Sequence, residues 1–283
     1  MPASAPIFLY TKVLAVPPLH HLRDAAIKRI LPVTAPVGDA VLEINPEDAV
    51  ISGSLAFGVY EPFETKIFRK TVKPGMTVVD IGANIGYYAV MAGMGTGPTG
   101  KVIAYEPDPT NMSFLQKNFK RNGINHAVTV QKAVSDRAGT ATFYLTGNNK
   151  GTHSLVNNRG VAHSLTVETD TLDRSLRELG INKVDILKID IEGAEPLALL
   201  GMTGTLTANP DLIIFTEFYP RAIRRLGNEP IDFLNKLHDL GFSIRIIDED
   251  KKILVDLPSE SFSKFISAFP CGERVKNLYL QRN

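Results

Sequence analysis

Short apolar runs recur along the chain from Thr77 onward: Thr77 to Ile81, Val102 to Glu106, Val128 to Ala133, Val184 to Ile191 and Asp211 to Phe218. Each is too short for a free-standing helix and is rich in Val and Ile, so each predicts a buried strand. Stretches of helical periodicity, Thr110 to Asn122 and Ala194 to Leu200, lie between several of them. This alternation predicts parallel strands joined by right-handed crossovers, a doubly wound α/β sheet.

Two regions break the rhythm. Thr140 to Thr146 and Ser164 to Thr171 alternate apolar and polar positions around the polar loop Gly147 to Ser154, which predicts an inserted hairpin. Phe242 to Asp248 and Asn277 to Gln281 predict a closing antiparallel pair. Residues 1–59 read differently again: Pro2, Pro6, Pro17, Pro18, Pro32 and Pro36 punctuate them. A short helix over His20 to Leu31, with Leu22, Ala26, Ile27 and Ile30 on one face, predicts an N-terminal arm or cap on a domain spanning 60–283.

Composition narrows the function. The 283 residues carry 31 Lys and Arg against 30 Asp and Glu, a formal net charge of +1. No basic excess points to nucleic acid, which is disfavoured as a substrate. Cys271, the single cysteine, removes intrachain disulfides and thiolate metal clusters. No run of about 18 apolar residues predicts a membrane span. The first basic residue, Lys12, follows the apolar stretch Ile7 to Tyr10, the reverse of a signal peptide, so a cytoplasmic location is the default expectation.

The strongest chemical signal is Val78-Val-Asp-Ile-Gly-Ala-Asn-Ile-Gly-Tyr-Tyr88. Gly82 and Gly86 bracket a tight turn from strand into helix, with Ala83 and Asn84 between them and Tyr88 just inside the helix. The loop's amides are expected to face a ligand. A dinucleotide-binding loop carries Gly-x-Gly-x-x-Gly here, whereas this one is Gly-x-x-x-Gly preceded by an acid. Asp80 repels a pyrophosphate but suits an ammonium or a sulfonium. Glu106 ends the next strand about 20 residues on, where an acid accepts hydrogen bonds from a ribose diol. Pro107 stops the strand, and Asp108 or Asn111 is placed to reach the base.

These residues, with Lys188-Ile-Asp-Ile-Glu-Gly-Ala-Glu195, resemble the FkbM family of methyltransferases. Tyr60-Glu-Pro-Phe-Glu-Thr65 is similar to the segment that precedes the family's first strand. The resemblance implies a mostly parallel seven-stranded sheet with a reversed C-terminal hairpin. It also implies S-adenosylmethionine as cofactor and O-methylation of a small-molecule, sugar or natural-product hydroxyl. It brings Glu61 and Glu64 toward the cofactor's ammonium; a salt bridge with Lys66 or Arg69 is their structural alternative. Lys150 and His153 in the inserted loop, and all of residues 1–59, depart from the family pattern.

Methyl transfer is an in-line displacement that aligns an acceptor and takes its proton. Asp190 ends the strand beside the topological switch point and is the first choice for a base or cofactor-proximal role. Glu192 follows it in the turn, while Glu195 reads as a helix-start residue. Glu217, at the end of the next strand, borders the acceptor or pairs with Arg221. His153 is either a base on the inserted loop or a solvated side chain. Nothing in the spacing demands a metal, and none is expected. An NAD-linked oxidoreductase and a non-catalytic cofactor-binding protein are the competing functions. A homodimer is as compatible with the sequence as a monomer.

Overall fold

The computed structural model describes residues 29–48, 50–146, 153–157, 161–269 and 275–282. A hairpin of β1 (Thr34–Val37) and β2 (Ala40–Glu43) leads through α1 (Ile51–Ala56) and α2 (Pro62–Thr71) into β3 (Thr77–Ile81). There follow α3 (Tyr87–Thr96), β4 (Lys101–Tyr105), α4 (Pro109–Arg121) and β5 (Ala127–Val130). Next come β6 (Ala133–Val134), β7 (Gly139–Thr146), β8 (Val161–Asp170) and α5 (Leu172–Glu178). The second half runs β9 (Ile186–Ile189), α6 (Glu195–Leu200), α7 (Thr203–Ala208), β10 (Ile213–Phe218), α8 (Pro220–Arg225) and α9 (Pro230–Asp239). It closes with β11 (Phe242–Asp248), β12 (Ile253–Asp256), α10 (Phe262–Ser267) and β13 (Lys276–Arg282).

The main sheet has the order β12-β11-β13-β10-β9-β3-β4-β5. Strands β5, β4, β3, β9 and β10 are parallel, and β13 inserts antiparallel between β10 and β11. The expected closing pair is therefore present. The strand count rises from seven to eight because the chain turns back after Asp248, with Lys252 at φ +56°, and pairs β12 along β11. The order reverses between β3 and β9, and ligands bind outside the strand ends at such a point.

Both faces of the sheet are covered, which is why its central strands are apolar almost throughout. Val79, Ile81, Leu187 and Ile189 pack on one side with Leu199 and Leu206. Val78, Ile186 and Phe215 pack on the other with Phe68, Tyr88 and Ala89. Full burial of each such side chain is worth about 1.5–3 kcal/mol.

The predicted insert is a separate three-stranded sheet, β6-β8-β7, with β7 and β8 antiparallel from Gly139↔Thr169 onward. The helix expected over His20 to Leu31 lies outside the described residues except for its end, where Arg29 and Ile30 are helical. Residues 34–43, read as part of a helical arm, instead form the β1–β2 hairpin. Asn118 Oδ1 accepts the Glu43 N–H at 2.7 Å and Asn122 Oδ1 accepts the Val41 N–H at 2.9 Å, fastening β2 to α4. Two four-residue strands carry too short an alternation to read from sequence. Cys271 and Lys150 also lie outside the described residues.

Candidate active site

The loop after β3 is built on its own amides. Gly82 takes φ +86°, and a Cβ there would lie 2.0 Å from the Asp190 carbonyl oxygen, so only glycine lets the loop pass this close to the end of β9. The Gly82 and Ala83 N–H groups both donate to Tyr105 O, at 3.0 and 2.9 Å. Asn84 N–H donates to Glu106 Oε2 at 2.8 Å, Ile85 N–H to Asn84 Oδ1 at 2.7 Å, and Gly86 N–H to Ala83 O at 2.8 Å. The expectation that these amides face a ligand is corrected: all five are spent inside the protein. No cradle for a pyrophosphate remains in the loop.

Glu106 is thereby held from two sides, since its Oε1 accepts the Asp108 N–H at 2.8 Å. Asp108 in turn caps α4, accepting from Thr110 N–H at 2.6 Å and Asn111 N–H at 3.2 Å. Its other oxygen lies 3.1 Å from His153 Nδ1, and the His153 ring meets Phe143 edge-on at 6.2 Å. Around these groups lies a cavity of about 490 Å³, open to solvent, lined among others by Gly82, Glu106, Asn111, Phe143, His153 and Asp190. Asn111 Oδ1 is buried there without a hydrogen-bond partner.

A second open cavity, of about 810 Å³, adjoins the first through Gly82, Asn84 and Asp190, which line both. Its walls include Tyr60, Glu61, Asp80, Tyr88, Lys188, Glu192 and Glu217. Lys188 is two residues along β9 from Ile186, on the same face, and is fully buried. Its Nζ lies 3.0 Å from Glu64 Oε1, 3.5 Å from Asp190 Oδ2 and 4.7 Å from the centre of the Tyr88 ring. Glu61 accepts from Tyr88 Oη and Asn277 Nδ2, both at 2.7 Å, and Asn277 also donates to Glu64. Glu249, from the β11–β12 turn, caps α2 by accepting the Phe63 and Glu64 N–H groups.

Burial dominates the electrostatics. It pushes the Asp80 carboxyl up to about 7, with Lys188 opposing and Asp190 adding to the rise. It pushes Glu106 up to about 8 against the two backbone donors. Glu217 rises well above the ordinary carboxylate range through burial and the nearby Glu192 and Asp190 carboxylates. For Lys188, burial favours the neutral amine, but Glu64, Asp190 and Glu61 more than reverse this and keep it charged. Asp80 Oδ2 and Glu217 Oε2 are buried with no hydrogen-bond partner.

Residues 80–244 match the methyltransferase FkbM domain. The chain belongs to the FkbM methyltransferase family. It is 31% identical over 197 residues to the methyltransferase sdnD of Sordaria araneosa, covering 59% of this chain and 73% of that one. The 2-O-methyltransferase NoeI of Sinorhizobium fredii is 27% identical over 186 residues, with 58% and 73% covered. The 31-O-demethyl-FK506 methyltransferase FkbM of Streptomyces tacrolimicus is 29% identical over 199 residues, with 59% and 74% covered. Among solved structures, Aeropyrum pernix fibrillarin with bound S-adenosyl-L-methionine aligns at a TM-score of 0.41 and 14% identity, over 74% of this chain and 68% of that one. Like its family, this FkbM methyltransferase uses S-adenosylmethionine as methyl donor.

The structure gathers most of the predicted residues at the two cavities. Gly82, Asn84 and Asp190 line both; Glu106, Pro107, Asn111 and His153 line the first; Asp80, Ala83, Tyr88, Glu192 and Glu217 line the second. Gly86 lines neither and packs on Leu115. Glu64 also lines neither and sits behind Lys188, so it reaches the cavity only through that ammonium. Its partner is thus Lys188, not Lys66 or Arg69. His153 stands on the first cavity, against Asp108, and not in the acid-lined second one. Sequence reasoning passed over Lys188, although a lysine inside a central parallel strand signals a buried ion pair. It had no signal for Asn277, which lies more than 200 residues along the chain from Glu61 and Glu64. Among the described residues no helix is long and apolar enough to cross a membrane.

The donor set fits S-adenosylmethionine. The first cavity offers buried acceptors, Glu106 and the unpartnered Asn111 Oδ1, which suit the hydroxyl and amine donors of an adenosine. The second offers the unpartnered Asp80 Oδ2, which suits the positive charges of a methionine sulfonium.

Proposed function

We propose that the chain transfers the methyl group of S-adenosylmethionine to a hydroxyl of a small-molecule acceptor, a sugar or a natural product. The observation that carries this is the meeting of the two cavities at Gly82, Asn84 and Asp190, an acceptor-lined nucleoside site opening directly onto an acid-lined one. Glu106 takes the ribose diol, Asn111 and Pro107 border the adenine, and Asp80 and Glu61 face the ammonium. The names of relatives support the acceptor class: a 2-O-methyltransferase, a hexuronic acid methyltransferase and a 31-O-demethyl-FK506 methyltransferase.

The cofactor supplies a methyl group on a positively charged sulfur. The protein's part is to align the acceptor and receive its proton. Asp190 is placed for the proton, because it lines both cavities and Lys188 holds its Oδ2 at 3.5 Å. Tyr60, Tyr87 and Tyr88, packed edge to face at 5.0 and 5.1 Å, form an aromatic wall beside it. His153 acts as a wall of the nucleoside site, held by Asp108, rather than as the base. The β1–β2 hairpin caps the domain, with β2 fastened to α4.

Calorimetric titration tests the cofactor half. Micromolar binding of S-adenosylmethionine and S-adenosylhomocysteine, without NAD binding, is expected; NAD binding with no binding of the sulfonium compound overturns the reading. Transfer of labelled methyl to a panel of sugars and macrolide alcohols, against the corresponding amines, tests the acceptor half.

A further inference from the structure

The sulfur of S-adenosylmethionine is the atom that joins adenosine to the methionine chain. A donor that fills both cavities therefore carries its sulfonium across their junction. Gly82, Asn84 and Asp190 line the two cavities together, and Asp190 is the charged residue of the three. The lysines among the lining residues are already paired. Lys132, on the first cavity, lies 3.2 Å from Asp170; Lys188, on the second, lies 3.0 Å from Glu64 and 3.5 Å from Asp190. Glu64 is the nearer partner and is buried with Lys188, whereas the Asp190 side chain is 22% exposed. Glu61 and Asp80 add carboxylates to the same walls. The single ammonium of Lys188 thus answers several acids and leaves Asp190 with charge for a ligand.

Donor and product differ at this junction by one charge. The methyl group leaves without the electron pair of its bond to sulfur, so the sulfonium becomes a neutral thioether. The acceptor's oxygen gains the methyl and gives its proton to Asp190. Carboxylate and sulfonium therefore lose their charges in the same step, and atoms and charge balance. A thioether needs no counterion, while a sulfonium taken out of water does. Without a facing acid, burial favours the product, because only the donor gives up the hydration of a charged sulfur. A carboxylate at the junction reverses that order.

We infer that Asp190 is the counterion of the sulfonium and makes the site select the methyl donor over S-adenosylhomocysteine. The inference rests on the reading of the two cavities as the nucleoside and methionine ends of one donor site. Its consequence lies in turnover: methyl transfer removes the charge that held the donor, so the spent cofactor leaves and fresh donor displaces it.

The test is calorimetry on the full chain with S-adenosylmethionine, S-adenosylhomocysteine and sinefungin, which has an amine-bearing carbon, cationic when protonated, in place of the sulfonium. Both cationic ligands are expected to bind the parent chain about tenfold or more tightly than S-adenosylhomocysteine. In Asp190→Asn they are expected to bind about tenfold more weakly, with S-adenosylhomocysteine held nearly as before, which also reports that the variant is folded. Asp190→Ser removes the same charge and repeats the comparison with a smaller side chain. Asp80→Asn, facing the ammonium common to all three ligands, is expected to weaken them together. Parent binding of S-adenosylhomocysteine as tight as that of the donor overturns the inference. So does an Asp190 variant that keeps the parent's discrimination, or one that weakens all three ligands alike. A chain that binds none of the three fails the reading of the cavities, whereas one that binds all three equally keeps that reading and fails only this inference.

Discussion

Lys188 Nζ stands 3.0 Å from Glu64 Oε1 with both side chains buried, so the central strand β9 is tied by charge to the helix that precedes the sheet. Removing one partner of such a pair leaves the other without compensation. Lys188→Met is expected to cost about 3–5 kcal/mol in urea unfolding, with most of it recovered when Glu64→Gln is added. A single variant as stable as the parent chain refutes the pairing.

Glu106 joins the loop after β3 to the end of β4 while lining the first cavity, which we propose to be the nucleoside site. Glu106→Gln exchanges one acceptor oxygen for a donor. Loss of a hydrogen bond to a charged acceptor, about 1.5–3 kcal/mol, predicts S-adenosylmethionine binding weaker by roughly tenfold to a hundredfold. The variant also gives up about 1–3 kcal/mol of stability, because one backbone N–H loses its acceptor. Calorimetry on the folded variant checks the first figure and denaturant unfolding the second. Unchanged binding removes Glu106 from the ribose.

Binding should depend on pH. Burial raises Asp80 to about 7, so the folded chain keeps this proton where the unfolded chain has lost it. The stability contributed by the protonated form is fully present below the unfolded value near about 4 and is lost as pH rises through the folded value. A cationic ligand has the opposite requirement, since it needs the carboxylate. S-adenosylmethionine affinity is therefore expected to rise about tenfold from pH 6 to pH 8, as the ionised fraction of Asp80 grows, while the thermal midpoint of the free chain falls. Glu106, at about 8, extends the rise. A profile that stays as steep in Asp80→Asn assigns the effect elsewhere.

Gly82 and Gly123 separate two costs. Both have positive φ, +86° and +66°, but a Cβ at Gly123 meets nothing within 4 Å whereas one at Gly82 meets Asp190 O at 2.0 Å. Gly123→Ala should cost about 1–2 kcal/mol of backbone strain. Gly82→Ala should cost clearly more and also abolish donor binding. Equal melting points for the two variants are inconsistent with the close approach.

How much of this was legible in the sequence follows from the range of each interaction. The parallel strands, the insert and the closing pair are written in local periodicity, and the acids at the strand ends follow from it. Asp80, Glu106, Asp190 and Glu217 could be placed because each lies at the last or next-to-last position of its own apolar run. The β1–β2 hairpin and β12 were not readable, since strands of four residues carry hardly two periods. The place of His153 on the first cavity was not readable, because its partner Asp108 and neighbour Phe143 come from separate segments.

The position of β13 has a consequence for synthesis. Asn277, on that strand, donates to Glu61 and Glu64 across more than 200 residues of intervening chain. The lead-in segment is therefore without one of its fastenings until almost everything between has left the ribosome. Glu61 and Glu64 thus reach this set of partners only once β13 has paired with β10.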